Sequence, residues 1–175
     1  MIFKRTEIRD MYLIELEKKG DERGFFARTF CIEEFKNHGI QFVPIQSNMS
    51  SSTHKGTLRG LHYQIETEEA KLVRCPRGSI FDVVIDLRKN SESYLKISCN
   101  EISSSTNQIL YIPPGCAHGF QTLEDNTEVN YLVTAFFSPA NERGIRYDDP
   151  TFNISWPMQI HTISEKDKSF RDYES

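Results

Sequence analysis

The chain has 175 residues and a formal net charge of −4, with 38% hydrophobic and 26% charged residues, the proportions of a soluble globular protein of one-domain size. A pI near 5.8 lacks the overall basic field of a general nucleic-acid binder, so an anionic ligand must be met by local arginines and lysines. No apolar run approaches the roughly 18 residues needed to span a bilayer, and the opening MIFKRTEIRD has no apolar core of a secretory signal, so no membrane partner is expected. Cys31, Cys75, Cys99 and Cys116 are scattered without a CxxC pair, which reads as reduced thiols or buried fillers and makes the cytoplasm the expected compartment.

In chain order the sequence predicts strands over MYLIEL (11–16) and GFFARTFC (24–31), then a short amphipathic helix over IEEFKNHG (32–39) that ends on Gly39. Further strands are predicted over FVPIQSNMS (42–50), KLVRCP (71–76), SIFDVVIDL (79–87) and LKISCNEI (95–102). QILYIP (108–113), HGFQTL (118–123) and EVNYLVTAFF (128–137) complete the set. SIFDVVIDL is rich in β-branched and aromatic residues and is expected to be buried on both faces. SEKDKSF (164–170) opens on Ser with acids in its first turn and reads as a short capped helix. Turn residues separate the strands, in KKGDERG, HKG, RGS, RKNSES, SSSTNQ, PPG and EDN. Many short strands at close spacing predict an all-β sandwich or barrel. No repeat, low-complexity tract or linker interrupts it, so residues 1–175 are expected to form a single domain.

Two histidines raise the functional question. His62, within TLRGLHYQ (57–64), suits a packed interior residue, a metal ligand or a general base. His118 follows a rigid turn in IPPGCAHGF (112–120), and this pattern resembles the second motif of the cupin superfamily, whose double-stranded jelly roll projects such a histidine into the barrel. His118 also suits a structural role, its ring holding the loop after the Pro-Pro-Gly turn. Metal-binding cupins carry a His-x-His pair and a following Glu, but here the pair reads His62-Tyr63-Gln64. An amide oxygen is a poorer transition-metal ligand than imidazole. Glu68 and Glu69 remain as carboxylate candidates, yet the expectation is a barrel site with no metal.

Six segments sharpen the resemblance: GDERGFF (20–26), IQSNMSSSTHKGTLRGLHYQ (45–64), KLVRCPRGSIFDVVIDLR (71–88), LYIPPGCAHGF (110–120), RGIRYDDP (143–150), and ISWP followed by ISEKD (154–167). In this order and spacing the chain resembles the dTDP-4-dehydrorhamnose 3,5-epimerase family, deoxysugar-nucleotide epimerases of the cupin superfamily. The resemblance implies an all-β cupin double-stranded β-helix (jelly roll) with short helices, including a C-terminal one. It also implies an isomerase that inverts C3, C5 or both of a nucleotide-linked 4-keto-6-deoxyhexose, in assembly of a deoxysugar for polysaccharide or a glycosylated metabolite.

Such a reaction needs a base to remove a proton beside the ketone, a positive group to hold the enolate oxygen, and an acid on the opposite face. No cofactor is required in principle, because the substrate's own ketone accepts the electron pair. Histidine titrates near neutrality and suits the base, which falls to His62. By resemblance, Asp167 orients His62, Lys71 holds the enolate oxygen, and Tyr131 is the acid. The resemblance further places Arg23 and Arg59 at the diphosphate and nucleotide, with Gln46 and Asn48 beside them. Phe26 is implied as an aromatic wall and His118 as a group lining the sugar. Taken without the resemblance, Tyr131 reads as an ordinary strand aromatic, Lys71 as a solvated edge lysine and Arg23 as a surface charge.

Three departures from the family pattern bear on the nucleotide. Arg28 stands where the family shows a glutamate against the thymine; Phe137 ends a segment usually closed by tyrosines; and Ser47 and Met49 replace Asp and His around Asn48. They lead to the expectation of a different nucleotide, for instance CDP, UDP or GDP, with the proton chemistry retained. The alternatives are a keto-isomerase of the same fold, a non-catalytic cupin that binds a sugar nucleotide, and a metal-dependent cupin dioxygenase, disfavoured by Gln64. The resemblance also implies a homodimer in which an N-terminal strand, TEIRDMYLIEL (6–16), crosses to the neighbouring subunit.

Overall fold

The computed structural model describes residues 1–174. Among these residues, fourteen strands and two short helices follow one another. The N-terminal part holds β1 (Ile2–Arg5), β2 (Tyr12–Glu15), β3 (Lys19–Asp21), β4 (Gly24–Phe26), α1 (Ile32–Asn37) and β5 (Gln46–Ser52). The middle holds β6 (Thr57–Gln64), β7 (Lys71–Arg77), β8 (Ser79–Asp86), β9 (Ile97–Ser103) and β10 (Ile109–Ile112). Next come β11 (Cys116–Thr122), β12 (Thr127–Val133), β13 (Glu142–Gly144), β14 (Thr162–Ile163) and α2 (Glu165–Lys168).

Two sheets face one another. One runs β1-β2-β10-β7-β12-β5 and the other β13-β6-β11-β8-β9, with β14 added parallel to β6. Every other pairing within them is antiparallel, the jelly-roll arrangement of a cupin. Alternation along the strands sends apolar side chains to three places. Val73, Leu110 and Val129 meet Ile80, Val84 and Phe120 between the sheets. On the outer face of the six-stranded sheet, Leu72, Ile109 and Tyr111 pack under Phe35 of α1 and Phe42. On the outer face of the other sheet, Leu61, Val83 and Ile85 are covered by the C-terminal segment through Phe152, Ile154 and Trp156. β8 therefore contributes to two cores at once, the both-faces burial expected of SIFDVVIDL.

Some elements depart from expectation for local reasons. GFFARTFC was predicted as one strand to residue 31, but pairing stops at Phe26. Phe30 turns inward against Phe35 and Phe42, at ring distances of 5.1 and 5.6 Å. EVNYLVTAFF pairs only to Val133, because the Thr134 hydroxyl leaves the ladder to bond the Ala70 N–H and the Glu68 carbonyl. FVPIQSNMS becomes a strand only from Gln46, after Pro44, which has no N–H for a ladder. The N-terminal segment is built into its own chain, with β2 hydrogen-bonded on one side to β1 and on the other to β10, and β1 at the edge of the sheet. The segment that joins neither large sheet is the β3–β4 hairpin.

Both helices are held at their ends. Gly39 follows α1 with φ +76°, closing it as a left-handed C-terminal residue. Ser164 caps α2, its hydroxyl accepting the Asp167 N–H at 3.0 Å.

Candidate active site

Between the sheets lies a cavity of about 690 Å³. The six-stranded sheet contributes Gln46 and Asn48 from β5, Tyr131 and Val133 from β12, and Lys71 from β7. Register explains their convergence, since Tyr131 lies opposite Asn48, and Val133 lies between Gln46 on one side and Lys71 on the other. The opposite wall is β6 and β11, with Arg59, His62 and His118.

On β6, Arg59 and His62 are three apart, a spacing that strict alternation would send to opposite faces. The ladder between β6 and β11 pairs His118 with His62 and Phe120 with Arg59, so three steps on β6 match two on β11. This bulge brings Arg59 and His62 to the same cavity. It also needs glycine at both crossing points. A Cβ on Gly60, whose φ is +113°, would lie 2.6 Å from Gly119 Cα and 2.8 Å from the His118 carbonyl oxygen.

Each histidine of this wall is held by a buried aspartate. His62 Nε2 lies 2.7 Å from Asp167 Oδ1, and the other carboxylate oxygen accepts the Gly60 N–H at 3.3 Å. Burial pushes the Asp167 carboxyl up, but the His62 ring, the Gly60 N–H and the cap at Ser164 outweigh it and hold the group below the ordinary carboxylate range. An ionised carboxylate only accepts, so Nε2 carries the proton and the lone pair sits on Nδ1. His118 Nε2 lies 2.7 Å from Asp82 Oδ2, with the Asp82 side chain fully buried and its Oδ1 without a protein partner.

The Tyr131 phenol is raised above its ordinary value, chiefly by burial and next by the Glu69 carboxylate, while Arg59 pulls it down. Lys71 is ion-paired with Glu69, both side chains being only about one-eighth exposed, at 12% and 13%. At the mouth, Lys166 of α2 bonds Glu142 of β13 at 2.5 Å. Gln64 accepts the Ser138 N–H at 2.9 Å and so pins the loop that carries Phe136 and Phe137. Among the described residues no three His, Cys, Asp or Glu side chains converge in the manner of a metal site. No helix among the described residues is long and apolar enough to cross a membrane.

Of the residues singled out from sequence, His62, Tyr131, Lys71, Asp167, Gln46, Asn48, Arg59, His118 and Phe137 line this cavity. Arg23, Phe26 and Arg28 do not. Arg23 and Phe26 ride on the exposed β3–β4 hairpin, with Arg23 bonded to Asp21. Arg28 turns to Glu34 of α1 at 3.0 Å. Ser47 and Met49 alternate outward from β5. Of the departures behind the expectation of another nucleotide, only Phe137 reaches the cavity of the single chain.

Sequence reasoning does not single out Asp82, although the acids Asp82 and Asp86 inside the apolar run SIFDVVIDL are a usable signal. Glu69, one of the carboxylates the sequence offers to a metal, instead pairs with Lys71.

The family model for dTDP-4-dehydrorhamnose 3,5-epimerase matches residues 5–175. This chain belongs to that family. A dTDP-4-dehydrorhamnose 3,5-epimerase of Sinorhizobium fredii is 42% identical over 171 residues, covering 97% of this chain and 88% of the relative. The crystal structure of a dTDP-4-dehydrorhamnose 3,5-epimerase from Elizabethkingia anophelis superposes with a TM-score of 0.95 at 33% identity, covering 99% of this chain and 96% of that one. A dTDP-6-deoxy-D-glucose-3,5-epimerase from Legionella pneumophila, in complex with dTDP-4-keto-L-rhamnose, superposes at 0.90 with 33% identity and 99% of both chains covered. As a dTDP-4-dehydrorhamnose 3,5-epimerase family member with the cupin jelly roll, the protein is an isomerase of the epimerase type.

Proposed function

We propose that the protein inverts C3 and C5 of a dTDP-linked 4-keto-6-deoxyhexose by proton exchange through an enolate. The observation that carries this reading is the His62–Asp167 pair on one wall of the cavity, opposed by Tyr131 and Lys71 on the other. Nδ1 of His62 removes the proton beside the ketone, and Asp167 stabilises the imidazolium that forms. The Lys71 ammonium stabilises the enolate oxygen, and Tyr131 delivers a proton to the opposite face of the carbon. The electron pair moves into the substrate's own carbonyl and back, so the steps balance without a cofactor. His118, held by Asp82, binds the sugar; Arg59, Gln46 and Asn48 hold the nucleotide diphosphate, and Phe137 stacks on the base.

The nucleotide is dTDP, as in the dTDP-sugar complex of the relative, because Ser47 and Met49 point outward from β5, away from the cavity. We further propose that the protein works as a homodimer whose β3–β4 hairpin brings Arg23 and Phe26 to the neighbouring cavity. Phe25 and Phe26 are 52% and 72% exposed on a hairpin paired with no sheet of its own chain, an apolar surface that a second copy would cover. Residues 1–175 act as one domain, since the cavity draws on side chains from Gln46 to Asp167. Four free cysteines fit the reducing cytoplasm.

Incubation with dTDP-4-keto-6-deoxyglucose in heavy water, followed by mass spectrometry, tests the reaction. Two deuterium atoms are expected in the recovered sugar. One would restrict the enzyme to a single centre, and none would overturn the reading. Calorimetry against dTDP, CDP, UDP and GDP tests the nucleotide, and a clear preference for any but dTDP would overturn that assignment.

A further inference from the structure

We propose that Glu69 is a positioning residue for this reaction: it fixes the Lys71 ammonium in the cavity and keeps the Tyr131 phenol on the adjacent strand in its protonated, proton-donating form. The inference rests on the role assigned above to Tyr131 as the acid.

Glu69 sits just before β7, where the chain is clamped to the end of β12. The Ala70 N–H donates to the Thr134 hydroxyl at 2.8 Å, and the Thr134 N–H donates to the Ala70 carbonyl at 3.2 Å. Residues two apart on an extended chain share a face, so Glu69 and Lys71 enter the cavity together and pair there. An ion pair at a strand end is ordinarily solvated and weak. This one is nearly withdrawn from water, where opposite charges act on their neighbours with little screening.

The remaining charges around Tyr131 show why a carboxylate is needed. The cavity lining holds the cations Lys71, Arg59 and Lys166 and the carboxylates Glu69, Glu142 and Asp167, together with His62 and His118. Lys166 is paired with Glu142, and Asp167 is committed to His62. Among the described residues Arg59 bonds only the Ser52 hydroxyl and the Ser51 carbonyl, so removing Glu69 would leave Lys71 as a second cation without a carboxylate in a cavity shared with a phenol, and two such cations favour tyrosinate. A tyrosinate cannot return a proton to the enolate carbon. With Glu69 present, Lys71 keeps one N–H on the carboxylate and its others for the ketone oxygen, so the ammonium is oriented as well as balanced. The upward push of Glu69 on the Tyr131 phenol, second only to burial, agrees with this arrangement.

The test compares wild type with Glu69→Gln and Glu69→Asp. Titration of Tyr131 is read as the ultraviolet absorbance of tyrosinate, taken as the difference between each protein and the same protein carrying Tyr131→Phe. In Glu69→Gln the Tyr131 titration should move to lower pH by about one unit, and the alkaline limb of kcat/KM should move with it, a roughly ten-fold loss above the limb. The loss should fall on kcat more than on KM, and Glu69→Asp should restore the wild-type titration. Unchanged titration and an unchanged alkaline limb in Glu69→Gln would overturn the proposal. Failure of the epimerase reading shows separately, as an absence of deuterium incorporation by wild type, while the absorbance titration still decides the role of Glu69.

Discussion

At the scale of single residues, the site depends on pairs in which a buried carboxylate sets what its partner can do. Asp167 is the clearest case, because its backbone and side chain have separate jobs. The N–H completes the Ser164 cap of α2, while the carboxylate binds His62 and the Gly60 N–H. Asp167→Asn keeps the cap and the side-chain volume but removes the charge that stabilises an imidazolium. We expect a loss on the order of 10⁴-fold in kcat, with an unfolding midpoint close to wild type. Deuterium exchange and thermal unfolding measured on the same preparation check it, and full activity in the variant would remove Asp167 from the mechanism. The histidines themselves were legible from TLRGLHYQ and the Pro-Pro-Gly-x-x-His turn. The pairing of His118 with Asp82 was not, because a side chain's partner on a neighbouring strand is set by register, which local sequence does not specify.

At the scale of elements, two local structures carry more than their length suggests. The β6 bulge converts a three-residue spacing into a shared face, and Gly60 makes it sterically possible. Gly60→Ala would force a Cβ against backbone atoms of β11 at an unfavourable φ. We expect at least about 2 kcal/mol of destabilisation by urea unfolding, together with loss of activity as His62 and Arg59 separate. Stability within about 0.5 kcal/mol of wild type would refute the account. The turn after β8 is the second. Asp86 is fully buried and accepts bonds from Arg88, Ser91 and Ser93 at 2.6–2.8 Å. Burial raises its carboxyl, but these bonds outweigh burial and bring it down to about 2. A depressed folded-state pKa contributes stability that is fully present above the unfolded value, roughly 3.9, and is lost as pH falls toward the folded one. Unfolding midpoints should therefore drop between about pH 4 and pH 2. Asp86→Asn should start about 3 kcal/mol lower and fall less over that window; an equal fall would show that Asp86 does not set the acid limit.

For the whole molecule, the question is where a cavity ends and a neighbour begins. Nine of the side chains expected at the site converge within one chain, yet Arg23 and Phe26 stand outside on a hairpin with exposed aromatics. A hairpin shared between copies makes a specific prediction about mixtures. His62→Ala and Arg23→Ala should each be poorly active alone. Unfolded and refolded together, they form hybrids in which one cavity receives both an intact His62 and an intact Arg23, and activity should recover to about a quarter of wild type by random pairing of two equally abundant chains. Mixtures no more active than the separate variants would show that each chain serves its own cavity.

The sequence by itself determined the fold class, most strand positions, and the identity of the histidines, lysine, tyrosine and aspartate that meet in the cavity. These follow from periodicity, from turn residues and from motifs whose order resembles one family. Tertiary structure alone decided that Asp82 binds His118, that Arg59 and His62 share a face, that Glu69 joins Lys71, and that Arg28 pairs with Glu34 of α1 in its own chain. The physical reason is the same in each case. Register, bulges and loop clamps are set by contacts between residues far apart in the chain, and a change of one residue in register exchanges one face of a strand for the other.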